Sequence, residues 1–233
     1  CRLFIAAKIQ NYRNILRRFV RDNGSDTDVE RAADELSRCR RKVINADSVE
    51  RVRGIEGDAA TYYFGVFPHL ILNQKESFVF KGRNRRPPKD AVNAMLSFVY
   101  TLISNDVTAA LETVGLDPYV GFMHALRPGR PSLALDIMEE LRAYLGDRLV
   151  LSLINRKQIT GNQFLQQGDE SIIMTDDARR TIISAWQARK KEQIQHPFLN
   201  EKVSIGLLPH IQAMMLARYL RNDLDDYPVF LIQ

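Results

Sequence analysis

Cysteine is scarce in this chain, which has two in 233 residues, Cys1 and Cys39. Two cysteines so far apart provide neither a disulfide framework nor a Cys-x-x-Cys pair of metal ligands, and they favour a reducing cytosol. The sequence also shows no run close to about 20 apolar residues, no secretory signal and no initiating Met. We therefore expect a cytoplasmic protein with no membrane span, and a fragment whose own N-terminal part is missing.

Common functional motifs are also absent. The sequence contains no internal repeat, no glycine-rich loop that would cradle a phosphate, and no Ser-His-Asp pattern of specific spacing. The composition is nevertheless that of a globular protein, with 45% hydrophobic and 26% charged residues. A chain of this length can bury a large core.

The apolar residues recur mostly at steps of three and four, which predicts an all-α, multi-helix fold. The expected helices cover residues 1–21, 27–43, 48–67, 91–114, 133–142, 148–157, 175–191 and a last segment near residue 215. The expected N-caps are Asp47 or Ser48 for the third helix, Asp90 for the fourth, and Ser132 and Asp147 for the two helices that follow them. The turn-rich stretch from Gly161 to Met174 leaves room for one short β-hairpin at most.

The net charge of +5 is unevenly distributed. Residues 90–147 carry 3 basic and 8 acidic side chains, whereas residues 1–53 carry 13 basic and 8 acidic ones. A negative centre beside basic flanks suits a cation site that also binds a polyanion, although a pI near 9.3 is common in proteins that bind nothing charged.

The acidic centre contains two carboxylates on one predicted helix. Asp136 and Glu139 are three residues apart, so they share a helix face with about 5 to 6 Å between their Cβ atoms and can bind one cation. Because two carboxylates beside Leu133 and Ile137 repel each other, a basic side chain or a metal between them would relieve the repulsion. The alternative is an ordinary amphipathic helix with solvated acids.

A third acid, Glu56, interrupts an apolar stripe. Val52 and Tyr63 lie at helical spacing on either side of it, so an apolar residue is expected at this position. Gly54 and Gly57 flank it, each at a cost of about 1 kcal/mol relative to alanine, which indicates close approach by a backbone, a ligand or a phosphate. The alternative is a glutamate paired with an arginine on a neighbouring helix.

A basic, turn-rich loop lies between residues 81 and 89. Such a loop is equally consistent with a clamp for phosphates and with a solvated linker. Its basic residues are Lys81, Arg83, Arg85, Arg86 and Lys89.

Four sequence blocks occur together and in a fixed order: R-V-R-G-I-E-G-D-A-A-T-Y-Y-F, R-P-P-K-D-A-V-N-A-M-L-S-F-V-Y, G-L-D-P-Y-V-G-F-M-H and R-P-S-L-A-L-D-I-M-E-E-L-R. In these blocks the chain resembles the CRISPR-associated integrase that inserts new spacers during adaptation, and most closely its subtype I-C branch. The resemblance implies that residues 1–233 form one α-helical catalytic domain and that the family's small β-rich N-terminal domain is missing. Many relatives have a proline where this chain has Glu140, a difference that should leave the site intact.

The same resemblance assigns the site residues, in segments 48–67 and 117–142. The family's metal-binding glutamate, histidine and third acid fall on Glu56, His124 and Glu139, and a preceding aspartate falls on Asp136 as a fourth ligand or a residue behind the ligands. A mixed nitrogen and oxygen set of this kind binds Mg²⁺ or Mn²⁺, and the imidazole makes Mn²⁺ the easier fit. His124 could instead protonate the leaving oxygen. The arginines expected to contact DNA are Arg83, Arg85, Arg86, Arg127 and Arg130.

The activity that the resemblance implies is that of a metal-dependent DNA integrase and endonuclease of CRISPR adaptation, an antiviral defence. The 3′-hydroxyl of a spacer precursor would attack a phosphodiester of the repeat array by transesterification, and water in its place would cleave DNA. The expected partners are DNA, a second copy in a homodimer, and a small ferredoxin-like adaptation protein. Two other classes stay open: a catalytically silent helical nucleic-acid-binding scaffold, and a helical bundle that binds proteins alone.

Overall fold

The computed structural model describes residues 1–84, 86–168 and 171–232. Its helices are α1 (Arg2–Asn23), α2 (Thr27–Ile44), α3 (Val49–Gly65), α4 (Ala91–Thr113), α5 (Ser132–Arg142), α6 (Arg148–Asn155), α7 (Asp176–Lys191) and α8 (Leu208–Leu220). Its strands are β1 (Phe164–Gln166), β2 (Ile172–Met174), β3 (Gln193–Gln195) and β4 (Lys202–Ser204). The prediction of a mostly helical fold is confirmed.

The strands form two small antiparallel hairpins. Leu165 of β1 lies opposite Ile173 of β2, and Ile194 of β3 lies opposite Val203 of β4. The first hairpin lies within Gly161–Met174, where one was expected, but the second was not predicted, so the expected fold with one hairpin at most is wrong by one hairpin. Each strand of the second hairpin has three residues, which is too short for an alternating pattern to stand out beside a helix.

Side-chain caps explain where two helices of the site begin. Ser48 accepts a hydrogen bond from the N–H of Arg51 at 3.3 Å at the start of α3. Asp90 accepts one from the N–H of Asn93 at 2.7 Å at the start of α4. Each bond satisfies a backbone donor that the first helical turn leaves free, so both predicted helix starts are confirmed.

The two other expected caps are wrong. Ser132 is the first residue of α5, and its hydroxyl donates to the carbonyl oxygen of Ala125 at 3.0 Å, which ties the preceding loop to the helix. Asp147 ends a π-helical turn, Ala143–Asp147, that joins α5 to α6 without a break. Its buried carboxylate accepts a hydrogen bond from the hydroxyl of Tyr100 on α4. An acid before an apolar run has the pattern of an N-cap, so sequence could not separate the two cases.

Helix α1 packs against α2, α3 and α5. The buried apolar face of this helix includes Phe4, Ile5, Ile9, Tyr12 and Leu16. The Tyr12 ring stacks on the Tyr63 ring of α3, with centroids 3.8 Å apart. Because α1 touches both α3 and α5, it brings Lys8 between the two segments that the predicted site combines.

Helix α4 is long and apolar enough to cross a membrane by length and composition, with a mean hydropathy of 1.3 over an 18-residue window. Half of that window is buried inside the fold, and α4 packs against both α5 and α8. Packing in the core therefore accounts for its apolar composition.

Candidate metal and nucleic-acid site

Asp136 on α5 organises the loop that precedes the helix. One carboxylate oxygen, Oδ2, accepts the N–H groups of Phe122 at 2.6 Å and Met123 at 2.9 Å. The other, Oδ1, accepts the N–H of His124 at 3.1 Å and lies 2.6 Å from its Nδ1. The side chain has no exposed surface. Both oxygens are therefore engaged in holding the loop, which makes Asp136 a poor candidate for a fourth metal ligand.

Gly121 allows this close approach of loop and helix. A Cβ atom at this position would lie 2.7 Å from the Ser132 carbonyl carbon and 2.9 Å from Asp136 Oδ2. Gly54 and Gly57 on α3 have open space instead, with nothing among the described residues within 4 Å of an added Cβ. Among the described residues no backbone approaches Gly54 or Gly57, so a ligand or a phosphate remains the expected partner there, and the close backbone contact lies at Gly121, which sequence analysis missed.

His124 is fixed by Asp136 in an orientation that leaves one ring nitrogen free. Because Nδ1 faces the Asp136 carboxylate, the neutral ring carries its proton on Nδ1 and its lone pair on Nε2. The Nε2 atom lies 4.0 Å from Glu139 Oε1, and 17% of the side chain is exposed. A histidine held in this way can offer Nε2 to a metal or to a proton.

Glu139 is buried between two cations. Its Oε1 accepts a hydrogen bond from Arg142 Nη2 at 2.8 Å, and its Oε2 lies 2.7 Å from Lys8 Nζ. Burial alone would raise the pKa of this carboxyl, but Arg142 and Lys8 together outweigh burial and lower it to about 2. Glu139 is therefore ionised over the ordinary pH range.

Glu56 faces the same point from α3. Its Oε1 accepts a hydrogen bond from Lys8 Nζ, so this ammonium group lies where the carboxylates of Glu56 and Glu139 meet. Lys8 is 2% exposed and Glu56 is 25% exposed, which leaves Glu56 open to solvent on one side. The alternative considered for Glu56, a pairing with a neighbouring helix, thus has a partner in Lys8, a lysine on α1 instead of an arginine.

The types of ligand atom at this site, carboxylate oxygens and an imidazole nitrogen, suit a small divalent cation. Two glutamates already share one positive charge, and an imidazole nitrogen lies 4.0 Å from one of them. Mn²⁺ accepts such a mixed set of nitrogen and oxygen ligands, and Mg²⁺ tolerates it. Across residues 1–84, 86–168 and 171–232, however, no group of three or more His, Cys, Asp or Glu side chains is close enough to form a metal cage. Lys8 Nζ instead contacts one carboxylate oxygen of each glutamate.

Sequence analysis missed Lys8 and Arg142, the cations of this site. A signal for Lys8 was present, because it lies three residues after Ile5 and four before Tyr12 in the buried stripe of α1. The same reasoning that selected Glu56 applies to it. Arg142 gave no such signal, since a basic residue in the last turn of a helix is ordinary.

The predicted DNA-contacting arginines have different surroundings. Arg83 donates to Asn93 Oδ1 at 2.6 Å and to Ser97 Oγ at 3.1 Å, and its guanidinium lies 5.4 Å from the Tyr100 ring centroid, so this side chain fastens its own loop to α4. The exposed arginines among the others are Arg86 and Arg127, while Arg130 is half-buried. Arg85 lies outside the described residues.

Comparison with known proteins gives the family. The family model for CRISPR associated protein Cas1 matches residues 1–188. The CRISPR-associated endonuclease Cas1 1 of Chlorobaculum tepidum is 53% identical over 232 residues, covering 98% of this chain and 68% of the relative. The CRISPR-associated endonuclease Cas1 of Leptospira interrogans is 46% identical over 233 residues, covering 99% of this chain and 91% of the relative.

Solved structures agree with this match. A casposase bound to an integration product has a TM-score of 0.82 at 25% identity, covering 97% of this chain and 61% of that chain. A Cas1 protein from Thermotoga maritima has a TM-score of 0.79 at 27% identity, covering 100% of this chain and 67% of that chain. The fold is that of a class of DNA endonucleases and integrases. The chain belongs to the Cas1 family, which confirms the predicted family and enzyme class.

Proposed function

We propose that this chain is the catalytic lobe of a metal-dependent DNA integrase and endonuclease of CRISPR adaptation, forming one domain over residues 1–233. The observation that carries the proposal is that Glu56 and Glu139 share the buried Lys8 charge while His124 Nε2 lies 4.0 Å from Glu139 Oε1. Three segments far apart in sequence build this point, and two of them contain family motifs. A structural ion pair needs the two charges alone, whereas this site also fixes a histidine beside them.

The residues proposed to hold Mg²⁺ or Mn²⁺ are Glu56, Glu139 and His124. The bound metal would polarise the scissile phosphodiester and favour deprotonation of the attacking hydroxyl. Asp136 positions His124 by holding its Nδ1 and the surrounding backbone, which is the role of an outer residue rather than of a ligand. Arg142 keeps Glu139 ionised and stacks on Tyr100, with its guanidinium carbon 4.7 Å from the ring centroid.

The proposed reaction joins the 3′-hydroxyl of a spacer precursor to the repeat array. Attack in line with the departing 3′-oxygen exchanges one phosphodiester for another, so no covalent protein intermediate is needed. A second role for His124 follows from its free Nε2, which could give a proton to the leaving oxygen. With water as nucleophile, the same site would cleave DNA.

The proposed partners follow from what related proteins are seen with. A casposase of the same fold is bound to an integration product, and another structure of this fold is a Cas6-RT-Cas1–Cas2 complex, with a TM-score of 0.84 at 25% identity. The chain spans about two thirds of the length of several curated relatives and 25% of the chain in that complex. For this protein we propose DNA, a homodimer, a small ferredoxin-like adaptation protein and, by its sequence blocks, a subtype I-C system in the cytoplasm.

The test compares Glu56→Gln with Glu50→Gln, an exposed acid in the first turn of the same helix. In chelator we expect both variants to unfold near the parent temperature, because Lys8 keeps Glu139 as a partner. Mn²⁺ should raise the melting temperature of the parent and of Glu50→Gln, and that of Glu56→Gln much less, since a ligand that binds the native state stabilises it by mass action. Strand transfer on labelled DNA should fall in Glu56→Gln by more than the roughly 10- to 100-fold typical of outer residues.

Two outcomes would overturn the proposal. Strong destabilisation of Glu56→Gln in chelator together with retained strand transfer would make Glu56 a structural ion-pair residue. A parent protein that binds DNA but transfers no strand in Mn²⁺ would instead support the alternative of a non-catalytic nucleic-acid-binding scaffold.

A further inference from the structure

A second cluster of positive charge lies on the molecule away from the glutamates. It consists of Arg18 on α1, Arg148 on α6 and Arg189 on α7, together with the Tyr144 ring. Arg148 and Arg189 both lie over this ring, with guanidinium carbons 5.0 and 4.9 Å from its centroid. We call these four residues the arginine cleft.

The charges in the arginine cleft are poorly compensated by protein groups. Arg148 is half-buried and makes no hydrogen bond or ion pair with any residue in the described part of the chain. Burial lowers the pKa of Arg148, and Arg189 and Arg18 lower it further by like-charge repulsion. Arg189 donates to the Tyr144 carbonyl oxygen at 3.1 Å, but its buried Nε has no partner among the described residues.

The acids near the arginine cleft sit at its rim. Asp22 lies 3.2 Å from Arg18, and both side chains are about half exposed, at 46% and 50%. Glu192 lies 3.7 Å from Arg189 and is 60% exposed. Water screens the exposed acid of each pair, so the two acids only weakly offset the repulsion among the three guanidinium groups. An anion inside the cleft would offset it.

There is space for such an anion. Two neighbouring cavities of about 260 and 420 Å³ both have Arg18, Arg148 and Ile232 in their walls. The wall between α1 and the C-terminal segment is held by Asn14, which donates to the Ile232 carbonyl oxygen at 2.7 Å. Planar guanidinium groups with free donors match the oxygens of a phosphate in geometry and charge.

We propose that the arginine cleft is a binding site for a backbone phosphate of nucleic acid, separate from the metal site and on the path of the same DNA strand. The choice of DNA as the source of the phosphate rests on the proposed function. Free inorganic phosphate has the same chemistry, and the experiment below distinguishes the two sources.

Helix α1 sets the separation of the two sites. Lys8 and Arg18 are ten residues apart, which corresponds to about 15 Å along the helix axis and about 80° around it. One strand of DNA covers this distance in roughly four or five nucleotides at 3.4 Å each. DNA with one end at His124 and Glu139 therefore reaches the arginine cleft if it is longer than this, and shorter DNA does not.

The test measures DNA affinity of Arg148→Gln, Arg18→Gln and the control Arg180→Gln, which removes an exposed arginine from α7. For DNA of about 20 nucleotides we expect Arg148→Gln to weaken binding about tenfold at low salt and Arg18→Gln by a smaller factor, with Arg180→Gln at the parent value. The slope of log affinity against log salt should become shallower by about 0.7 to 0.9 for each lost phosphate contact. An oligomer of about 4 nucleotides cannot contact both sites at once, so the parent should bind it much more weakly than the longer DNA.

The stability of the variants separates a binding role from a structural one. Without DNA, Arg148→Gln should unfold at or above the parent temperature, because it removes like-charge repulsion. Arg18 is exposed, so Arg18→Gln reports on binding even if the other variant fails to fold. Equal affinity of parent, Arg18→Gln and Arg148→Gln for the longer DNA would overturn the proposal.

Inorganic phosphate forms the second arm. If it raises the melting temperature of the parent and not of Arg148→Gln, while the affinities for DNA are equal, the cleft binds free phosphate and the nucleic-acid assignment is overturned. If the proposed function is wrong, the parent protein shows no metal-dependent strand transfer. The differences in DNA affinity between parent and variants can still be measured in that case.

Discussion

Two neighbouring glutamates on α5 have pKa values that are shifted in opposite directions. Glu139 contacts Lys8 and Arg142, which lower its pKa to about 2. Glu140 points to the other side of the helix, since successive residues are about 100° apart. Burial raises the pKa of Glu140 to about 7, although hydrogen bonds lower it in part.

The hydrogen bonds to Glu140 come from the C-terminal part of the chain. Its Oε1 accepts from the Tyr227 hydroxyl and from Gln212 Nε2 at 3.1 Å, and its Oε2 accepts from the Phe230 N–H at 2.7 Å. Neutral hydrogen-bond donors satisfy the oxygens of a buried carboxyl group. They stabilise its charged form less than a cation does, so burial still raises the pKa. The comparison teaches that burial alone does not decide the charge state of an acid. The cations beside it decide it, which for Glu139 are Arg142 of the same helix and Lys8 of the distant α1.

The largest effect is expected from removing the cation on the Glu139 side. Lys8→Met leaves the buried carboxylate of Glu139 without the cation that it shares with Glu56, so we expect a loss of about 3 to 5 kcal/mol of unfolding free energy in chelator. Mn²⁺ at about 100 times its dissociation constant should restore about 2.7 kcal/mol. The measurement is urea unfolding with and without metal.

Lys190→Met is the matched control for that variant. Lys190 pairs with Asp106 at 2.7 Å, but the two side chains are 26% and 28% exposed. Water screens this pair, so its loss should cost about 0 to 1 kcal/mol. If Lys8→Met costs no more than Lys190→Met, the buried charge cluster is not what stabilises this side of α5.

A smaller effect is expected on the Glu140 side, and it depends on pH. The folded protein keeps the proton of Glu140 up to about pH 7, whereas the unfolded chain loses it near 4.5. The folded state therefore binds more protons in this window, and stability falls as pH rises from about 4.5 to about 7, by roughly 3 kcal/mol in total. Glu140→Gln should remove this part of the slope.

The quantity to measure is the difference in pH slope between parent and variant, by chemical unfolding at several pH values. Burial also raises the pKa of Asp147, to about 6, and this group contributes with the same sign in both proteins. Glu139 contributes a slope of opposite sign, at lower pH, because its stabilising charge is lost as pH falls from 4.5 towards about 2. Parallel curves for parent and Glu140→Gln between pH 4.5 and 7 would contradict the assignment.

The smallest effects are expected at the glycines beside the acids. Gly121→Ala places a Cβ atom against Ser132 and Asp136, so we expect a loss of about 1 to 3 kcal/mol and weaker positioning of His124. Gly54→Ala has open space and should stabilise α3 by up to about 1 kcal/mol. Thermal unfolding without DNA checks both values. Weaker DNA binding by a stabilised Gly54→Ala protein would show that a phosphate or a backbone approaches there.

Much of the fold follows from the sequence alone, because its signals are local. The step of three and four residues predicts the helices, and Ser48 and Asp90 cap α3 and α4 as expected. The motif blocks identify the family, which the comparison with known proteins confirms. The inward position of Glu56 could also be predicted from the sequence, because a charged residue in an apolar stripe indicates a specific partner or ligand.

What the tertiary structure decided is which partner each charge receives. Lys8 lies 131 residues before Glu139, and Tyr227 lies 87 residues after Glu140, so no local pattern connects them. The same holds for Asp136, which sequence presents as one more acid on the Glu139 face. The fold uses both its oxygens to hold the loop that carries His124. The physical reason is that a helix face is set by 3.6 residues per turn, whereas the charges that meet it depend on how the helices pack.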